Sequence, residues 1–123
     1  MKPLAAYAQK YDRLQDTCPV RAALDVIRGR WKPSILFELN TGAKRFSILQ
    51  STLSGITAQA LSVQLRQLEA DGVVSRTIYP EVPTRVGYAL TTFGTELSEV
   101  SNQLEIWGAE YLRRRGQSKS RVL

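Results

Sequence analysis

The chain has 123 residues, a length that suits one domain with a single hydrophobic core. Its 17 basic and 11 acidic residues give a net charge of +6, which favours polyanionic partners such as nucleic acids. With no histidine and one cysteine, the sequence cannot assemble a typical structural zinc site or a histidine-dependent catalytic triad, so we expect no metal, no cofactor and no enzyme.

The N-terminal segment is predicted to form a helical arm over residues 3–16. Its apolar residues recur at helical spacing, and they are Leu4, Tyr7, Ala8, Tyr11 and Leu14. No apolar run is long enough to span a membrane, and no cleavable signal pattern occurs at this end of the chain. We therefore expect a cytoplasmic protein.

Cys18 is the candidate redox-sensing residue. It precedes Pro19, a favourable first helical residue, and a thiol at a helix N-terminus near Arg21 tends to have its thiolate favoured. A lone thiol cannot close an intrachain disulfide, but it can form sulfenic acid, a mixed disulfide or a bridge to another subunit. The alternative is a half-buried small apolar residue without a sensing role.

A Gly-bearing turn separates two short predicted helices in the middle of the chain. Phe46, Leu49 and Leu53 lie on one side of the first helix, and residues 54–56 interrupt it. Such a turn between two short helices is typical of a helix-turn-helix.

The second helix of this pair has one buried face and one polar face. Thr57 is a good N-cap, and Leu61, Leu65 and Leu68 recur at i, i+4 and i+7. The DNA-reading candidates are Thr57 at the exposed end and, on the opposite face, Gln59, Ser62, Val63, Arg66 and Gln67. Gln and Arg can contact base edges in the major groove. Glu69 and Asp71 would repel phosphate, so base contact is expected from the first two turns. The alternative is an ordinary amphipathic helix with a solvated face.

A β-hairpin is predicted after this helix. Residues 73–79 are rich in β-formers, residues 86–90 alternate as a returning strand, and the prolines of 80–84 exclude a strand interior. Arg76, Thr84 and Arg85 near this tip are candidate DNA contacts, because arginine binds phosphates and enters narrow minor grooves. Glu81 opposes that role at the tip. The alternative is a solvated hairpin with two incidental arginines.

The C-terminal arm, residues 92–114, carries a heptad-like apolar seam. Its positions are Phe93, Leu97, Val100, Leu104, Trp107 and Tyr111. A seam with this much aromatic surface favours dimerisation, with packing inside one monomer as the alternative. The polar residues 116–123 are predicted to be a disordered tail after a single domain over 1–115.

Basic residues outside the reading helix are expected to supply long-range attraction to DNA, since residues 43–83 are nearly neutral. They are Arg28, Arg30, Lys32, Lys44 and Arg45, and the cluster Arg113, Arg114 and Arg115. The alternative is that such residues only keep a basic protein soluble, and we do not expect Arg113, Arg114 or Arg115 to contact DNA.

The chain resembles the HxlR-type winged helix-turn-helix regulators of bacteria over roughly residues 18–108. The resemblance is carried by Cys18-Pro19-Val20, Ala23-Leu24-Asp25-Val26-Ile27, Trp31-Lys32, Arg45-Phe46, Leu65-Arg66-Gln67-Leu68-Glu69-Ala70-Asp71-Gly72, Tyr79, Val82-Pro83-Thr84-Arg85-Val86, Tyr88-Ala89-Leu90-Thr91, Gly94 and Trp107-Gly108. The chain departs from the family pattern at Arg28-Gly29-Arg30, at Thr84 and at Gly87, which replaces a usual glutamate.

The resemblance implies a mainly α fold with a small β-hairpin, in which N- and C-terminal helices form a dimer interface. It also implies a homodimeric transcription factor on an inverted-repeat operator. The DNA contacts that it implies are Arg45, Thr57, Gln59, Ser62, Val63, Arg66 and Arg85, and both arms are assigned to the dimer interface, with Leu4, Tyr7, Tyr11, Leu97, Val100, Leu104, Trp107 and Tyr111 as its candidate residues.

The sequence therefore predicts a DNA-binding regulator, for example a repressor, that a signal releases or repositions on its operator. The signal is either thiol oxidation at Cys18 or a small ligand between the aromatic arms, where Tyr7, Tyr11, Trp107 and Tyr111 converge. The alternative function is a winged-helix protein-interaction module without specific DNA binding. RNA binding is disfavoured, because the deep, narrow A-form major groove excludes such a helix.

Overall fold

The computed structural model describes the backbone of residues 18–122 and the side chains of residues 18–117. The predicted N-terminal arm, with Leu4, Tyr7 and Tyr11, lies outside the described residues. The elements are α1 (Pro19–Ile27), α2 (Lys32–Leu39), β1 (Lys44–Arg45), α3 (Phe46–Thr52), α4 (Ala58–Ala70), β2 (Val74–Tyr79), β3 (Arg85–Leu90) and α5 (Thr92–Val122).

The predicted helix-turn-helix is confirmed as α3 and α4. Gly55 has a φ of 91°, a left-handed conformation that glycine adopts without steric cost, and it lies in the turn between the helices. The Thr57 hydroxyl caps α4 by accepting a hydrogen bond from the Ala60 amide at 3.0 Å. Gly72, with a φ of 79°, follows the last turn of α4 and ends it, as expected.

The three leucines of α4 are buried in the core, as their spacing predicts. They belong to a cluster that joins the helices to the sheet. Its members are Ile27, Ile35, Leu36, Leu39, Leu49, Leu53, Ile56, Leu61, Leu65, Leu68, Val73, Val74 and Tyr88. Because α4 buries its leucine face here, its polar face is directed away from the core.

The predicted hairpin is confirmed as β2 and β3, but the sheet has a third strand. The hairpin register runs from Val74 opposite Leu90 to Tyr79 opposite Arg85. The strand order is β1-β3-β2, and β1 pairs only through Lys44 and Arg45. The expectation of a hairpin alone was therefore incomplete, since a two-residue strand shows no alternation and exists only through its pairing with β3.

Thr91 and Gly94 join the start of α5 to the end of α4. The Thr91 hydroxyl accepts from the Gly94 amide at 2.9 Å and donates to the Gly72 carbonyl at 2.6 Å. The backbone of Gly94 lies so close to Val73 that an added Cβ would be 2.0 Å from the Val73 carbonyl oxygen. This contact fixes where α5 leaves the DNA-reading part of the fold.

The long helix α5 continues to Val122. The prediction of a disordered tail from residue 116 is therefore corrected for the backbone, because residues 117–121 include Gln, Lys and Arg, which are good helix formers. Among residues 18–122, no helix is both long and apolar enough to cross a bilayer.

Candidate nucleic-acid interface

The polar face of α4 is directed to solvent and carries most of the predicted reading residues. Thr57, Gln59 and Arg66 are exposed, and Ser62 and Val63 are half-buried. Nη1 of Arg66 donates to Oγ of Ser62 at 3.1 Å, one turn earlier on the helix. This hydrogen bond directs the guanidinium toward the N-terminal turns, where a recognition helix contacts base edges.

Gln67 lies at one edge of this face, and its side chain is already engaged. Its Oε1 accepts a hydrogen bond from Nζ of Lys32, the first residue of α2, at 2.6 Å. Lys32 is only 8 % exposed. One prediction is corrected here, because Lys32 is not a free surface charge. The amide oxygen of Gln67 has a protein donor, and its DNA-reading role stays a prediction.

Arg76 of β2 lies at the other edge of the reading face. Its Nε is 3.7 Å from Oε1 of Glu69, which is on α4. Both side chains remain partly exposed, so the pair leaves the outer guanidinium nitrogens of Arg76 accessible. The predicted placement of Arg76 at the hairpin tip is corrected: Arg76 pairs with Tyr88 inside the β2–β3 ladder and lies beside α4, next to an acid that weakens its field.

The wing arginine Arg85 makes two contacts within the hairpin. Its Nη2 donates to Oε2 of Glu81 at 2.7 Å, and its Nε donates to Oε1 at 3.3 Å. Its guanidinium also lies over the Tyr79 ring, 3.7 Å from the centroid. Hydrogen bonding from Arg85 holds the pKa of the Glu81 carboxyl below its usual value.

Gly87 provides the space for this stacked arrangement. A Cβ at Gly87 would lie 3.1 Å from Cε2 of Tyr79, tighter than ordinary van der Waals contact. The departure from the usual family residue at this position thus coincides with a tyrosine ring packed across the strand, under the Arg85 guanidinium.

Arg45 lies beside the wing. It is the N-cap residue of α3 and is exposed. It lines a cleft of about 480 Å³ together with Pro83, Thr84 and Arg85. The fold therefore brings together three predicted DNA contacts, Arg45, Thr84 and Arg85, that lie far apart in the sequence.

Most of the predicted dimer seam on α5 is open to solvent. Trp107 and Tyr111 stack with ring centroids 5.6 Å apart, and they are 68 % and 49 % exposed. Val100 and Leu104 are also exposed. Leu97 is the exception, because it packs against the core of its own chain. The interface assignment of Leu97 is therefore corrected to a core contact.

Cys18 is half-buried at the N-cap of α1. Its carbonyl accepts the Ala22 amide at 3.1 Å, and Pro19 begins the helix, as predicted. Within residues 18–122, no group of three His, Cys, Asp or Glu side chains is arranged to bind a metal.

A solvent-facing helix after a Gly turn, with a hairpin wing beside it, makes this a winged helix-turn-helix protein of the class that binds DNA and regulates transcription. The chain belongs to the HxlR-like helix-turn-helix family, whose model matches residues 26–116. Its relatives are transcriptional regulators and not enzymes.

Three relatives show how closely this class is matched. The HTH-type transcriptional regulator YdeP of Bacillus subtilis (strain 168) is 44% identical over 94 residues, which are 76% of this chain and 73% of YdeP. The redox regulator HypR in its reduced form has a TM-score of 0.74 at 42% identity, covering 82% of this chain and 99% of HypR. Diamide-treated YodB from B. subtilis has a TM-score of 0.68 at 32% identity, covering 77% of this chain and 95% of YodB.

Proposed function

We propose that the protein acts as a homodimer on an inverted-repeat operator, with α4 of each subunit in the major groove. The observation that carries this proposal is the outward face of α4, where Arg66 is hydrogen-bonded toward the N-terminal turns and no acidic residue occurs before Glu69. Arg can recognise guanine and Gln can recognise adenine in the major groove. A regulator of this kind works where the chromosome is, which in a bacterium is the cytoplasm.

The dimer is supported by the uncovered seam on α5. Val100, Leu104, Trp107 and Tyr111 present a continuous apolar stripe that the described part of the chain leaves exposed. Large exposed apolar patches mark interaction surfaces, and a two-fold axis would pair this stripe with itself. Two half-sites then combine affinities that one small reading helix would not supply alone.

The experiment for this proposal is selection of bound duplexes from a random DNA pool. A palindromic winner that binds far more tightly than its shuffled sequence is the expected result. Weak binding that is equal on all duplexes and is lost in salt would refute the proposal, because counterion release alone explains it. The winged-helix interaction module without specific DNA binding would then be the better description.

For the signal, we propose oxidation of the Cys18 thiol. Its half-buried position at a helix N-terminus supports this assignment, as does the likeness to solved structures named as redox regulator HypR and diamide-treated YodB. A hydroperoxide would oxidise the thiol by two electrons: its O–O bond breaks, the S–O bond of a sulfenic acid forms, and an alcohol is released. A second thiol would then form a disulfide and release water.

A Cys18→Ser variant tests the oxidation proposal. We expect hydroperoxide to change the affinity of the wild type for its selected duplex, and we expect no change in the variant. A response of equal size in both proteins would refute thiol sensing.

A small apolar effector is the second candidate signal. It is favoured by a cleft of about 620 Å³ between α2 and α5, to which Trp31, Phe37 and Leu104 contribute apolar surface. This cleft differs from the ligand site predicted between the aromatic arms, because Trp107 and Tyr111 do not line it. A ligand response would survive in Cys18→Ser, so this one variant separates the two signals.

A further inference from the structure

A second basic site lies where the junction of α1 and α2 meets the reading helix. Arg28, Arg30 and Lys32 line a polar cleft of about 500 Å³ with Gln64 and Gln67 of α4. The cleft is separate from the wing, and none of its three basic residues belongs to the reading face or the hairpin.

Lys32 is the unusual residue of this cleft. Its side chain is buried, yet its ammonium donates to the neutral amide oxygen of Gln67, and no ion pair joins it to a carboxylate in the described part of the chain. Buried lysines are rare unless an opposite charge compensates them. Lys32 also begins α2, where the helix dipole adds partial positive charge. The cleft therefore holds an ammonium whose hydrogen-bond partner is neutral, and its three basic residues outnumber the two acidic residues, Asp25 and Asp71, that also line it.

The cleft flanks the reading face on the side away from the wing. Successive helical residues are about 100° apart, so Gln67 and Glu69 lie on opposite edges of the face that carries Val63 and Arg66. Glu69 contacts Arg76 of β2, whereas Gln67 contacts Lys32. Basic side chains thus border the reading face on both edges, as the two phosphate backbones border a major groove.

We propose that this cleft binds a DNA backbone phosphate on the edge of the major groove opposite the wing. Lys32 and Arg30 supply the charge, and Gln67 is a positioning residue that holds the Lys32 ammonium. The proposal rests on the proposed function, because it requires α4 to enter the major groove.

Two acidic residues limit the strength of this site. Oδ1 of Asp25 lies 4.0 Å from Nη1 of Arg28 and partly neutralises its charge. Asp71 also lines the cleft and faces the same cations. Since each carboxylate repels a phosphate, Asp71→Asn is expected to strengthen DNA binding, the opposite of the loss expected for Arg30→Ala.

The test measures the affinity for a labelled 30-bp duplex of random sequence across a series of KCl concentrations. Each phosphate contact that is lost lowers the slope of log affinity against log salt by about one. We expect this reduction for Arg30→Ala and for Lys32→Gln. Arg115→Ala, on α5 and outside the cleft, removes the same charge and is expected to leave the slope unchanged. The proposal would be overturned if Arg30→Ala and Arg115→Ala gave the same slope.

The variant Gln67→Ala distinguishes a positioning role of Gln67 from base reading. This test does not depend on whether the Lys32→Gln variant folds. A positioning residue affects phosphate binding, so we expect an equal fractional loss on the selected duplex and on its shuffled sequence. Loss confined to the selected duplex would make Gln67 a base reader and overturn its assigned role. Failure of the proposed function gives a different result, because the wild type would then bind the selected duplex and its shuffled sequence with equal affinity.

Discussion

The Glu81 carboxylate forms an ion pair with the guanidinium of Arg85, the wing residue best placed to bind a phosphate. The two side chains form a bidentate pair, with Nη2 to Oε2 at 2.7 Å and Nε to Oε1 at 3.3 Å. A carboxylate and a phosphate oxygen compete for the same nitrogens. A phosphate contact at Arg85 would therefore require Glu81 to release or share the guanidinium.

Glu81→Gln is expected to raise the affinity for any duplex by up to about fivefold, the scale of an exposed ion pair. The substitution removes the competing charge and keeps the size of the side chain. Fluorescence anisotropy with selected and shuffled duplexes measures the change. Glu99→Gln, an exposed change of the same charge on α5, is the control. Equal gains in both variants, or a loss in Glu81→Gln, would contradict a specific competition at Arg85.

Gly94→Ala is expected to destabilise the protein by about 3 kcal/mol or more, because overpacking against fixed backbone forces α5 away from Val73. The added Cβ would meet the Val73 carbonyl oxygen at 2.0 Å. Gly108→Ala on the same helix meets nothing within 4 Å and should stabilise by about 0.5–1 kcal/mol. Urea denaturation measures both, and a Gly94→Ala protein as stable as Gly108→Ala would refute the close approach.

Trp107→Ser is expected to shift the protein from dimer to monomer, because it removes the largest exposed apolar side chain of the α5 seam. Sedimentation velocity over a concentration series measures the shift. Ile78→Ser is the matched control, since Ile78 is also exposed, at 55 %, but lies on β2. A dimer that persists in Trp107→Ser as it does in Ile78→Ser would exclude this seam as the interface.

The Glu110 carboxyl is expected to stay ionised at pH values well below the usual pKa range of a carboxyl. Hydrogen bonds from Arg113 and Arg114 lower its pKa from 4.5 to about 2. The pKa of Glu110 is lower in the folded state than in the unfolded chain, so the pairing gives its full stabilisation at pH values above the unfolded-state pKa. This stabilisation is lost as the pH falls through about 2. A carbon-13 titration of the carboxyl measures this. A midpoint near 4.5 in the wild type, unchanged by Arg113→Gln with Arg114→Gln, would contradict the pairing.

The sequence predicted the elements whose signal is local. Leucine spacing predicted α4, Thr57 and Gly72 predicted its ends, and the proline-bearing loop predicted the wing. These features depend on neighbouring residues, and the structure confirms them.

The features that the sequence missed depend on partners distant in the chain. The hydrogen bond from Lys32 to Gln67 joins residues 35 positions apart, and no local pattern indicates it. The strand β1 exists only because Lys44 and Arg45 pair with β3. Leu97 has the spacing of the seam, but whether such a residue faces the core or a partner depends on how α5 crosses α2 and β3.

The most direct test of sequence-specific reading by α4 is the affinity ratio between the selected duplex and its shuffled sequence at one salt concentration. The ratio is compared among wild type, Arg66→Ala and Arg114→Ala, an exposed arginine on α5. A lost bidentate base contact costs about 1–3 kcal/mol of discrimination, so Arg66→Ala should reduce the ratio at least about fivefold while Arg114→Ala preserves it. An unchanged ratio in Arg66→Ala, with both duplexes bound equally less tightly, would show that Arg66 binds only phosphate and would contradict base reading by this face.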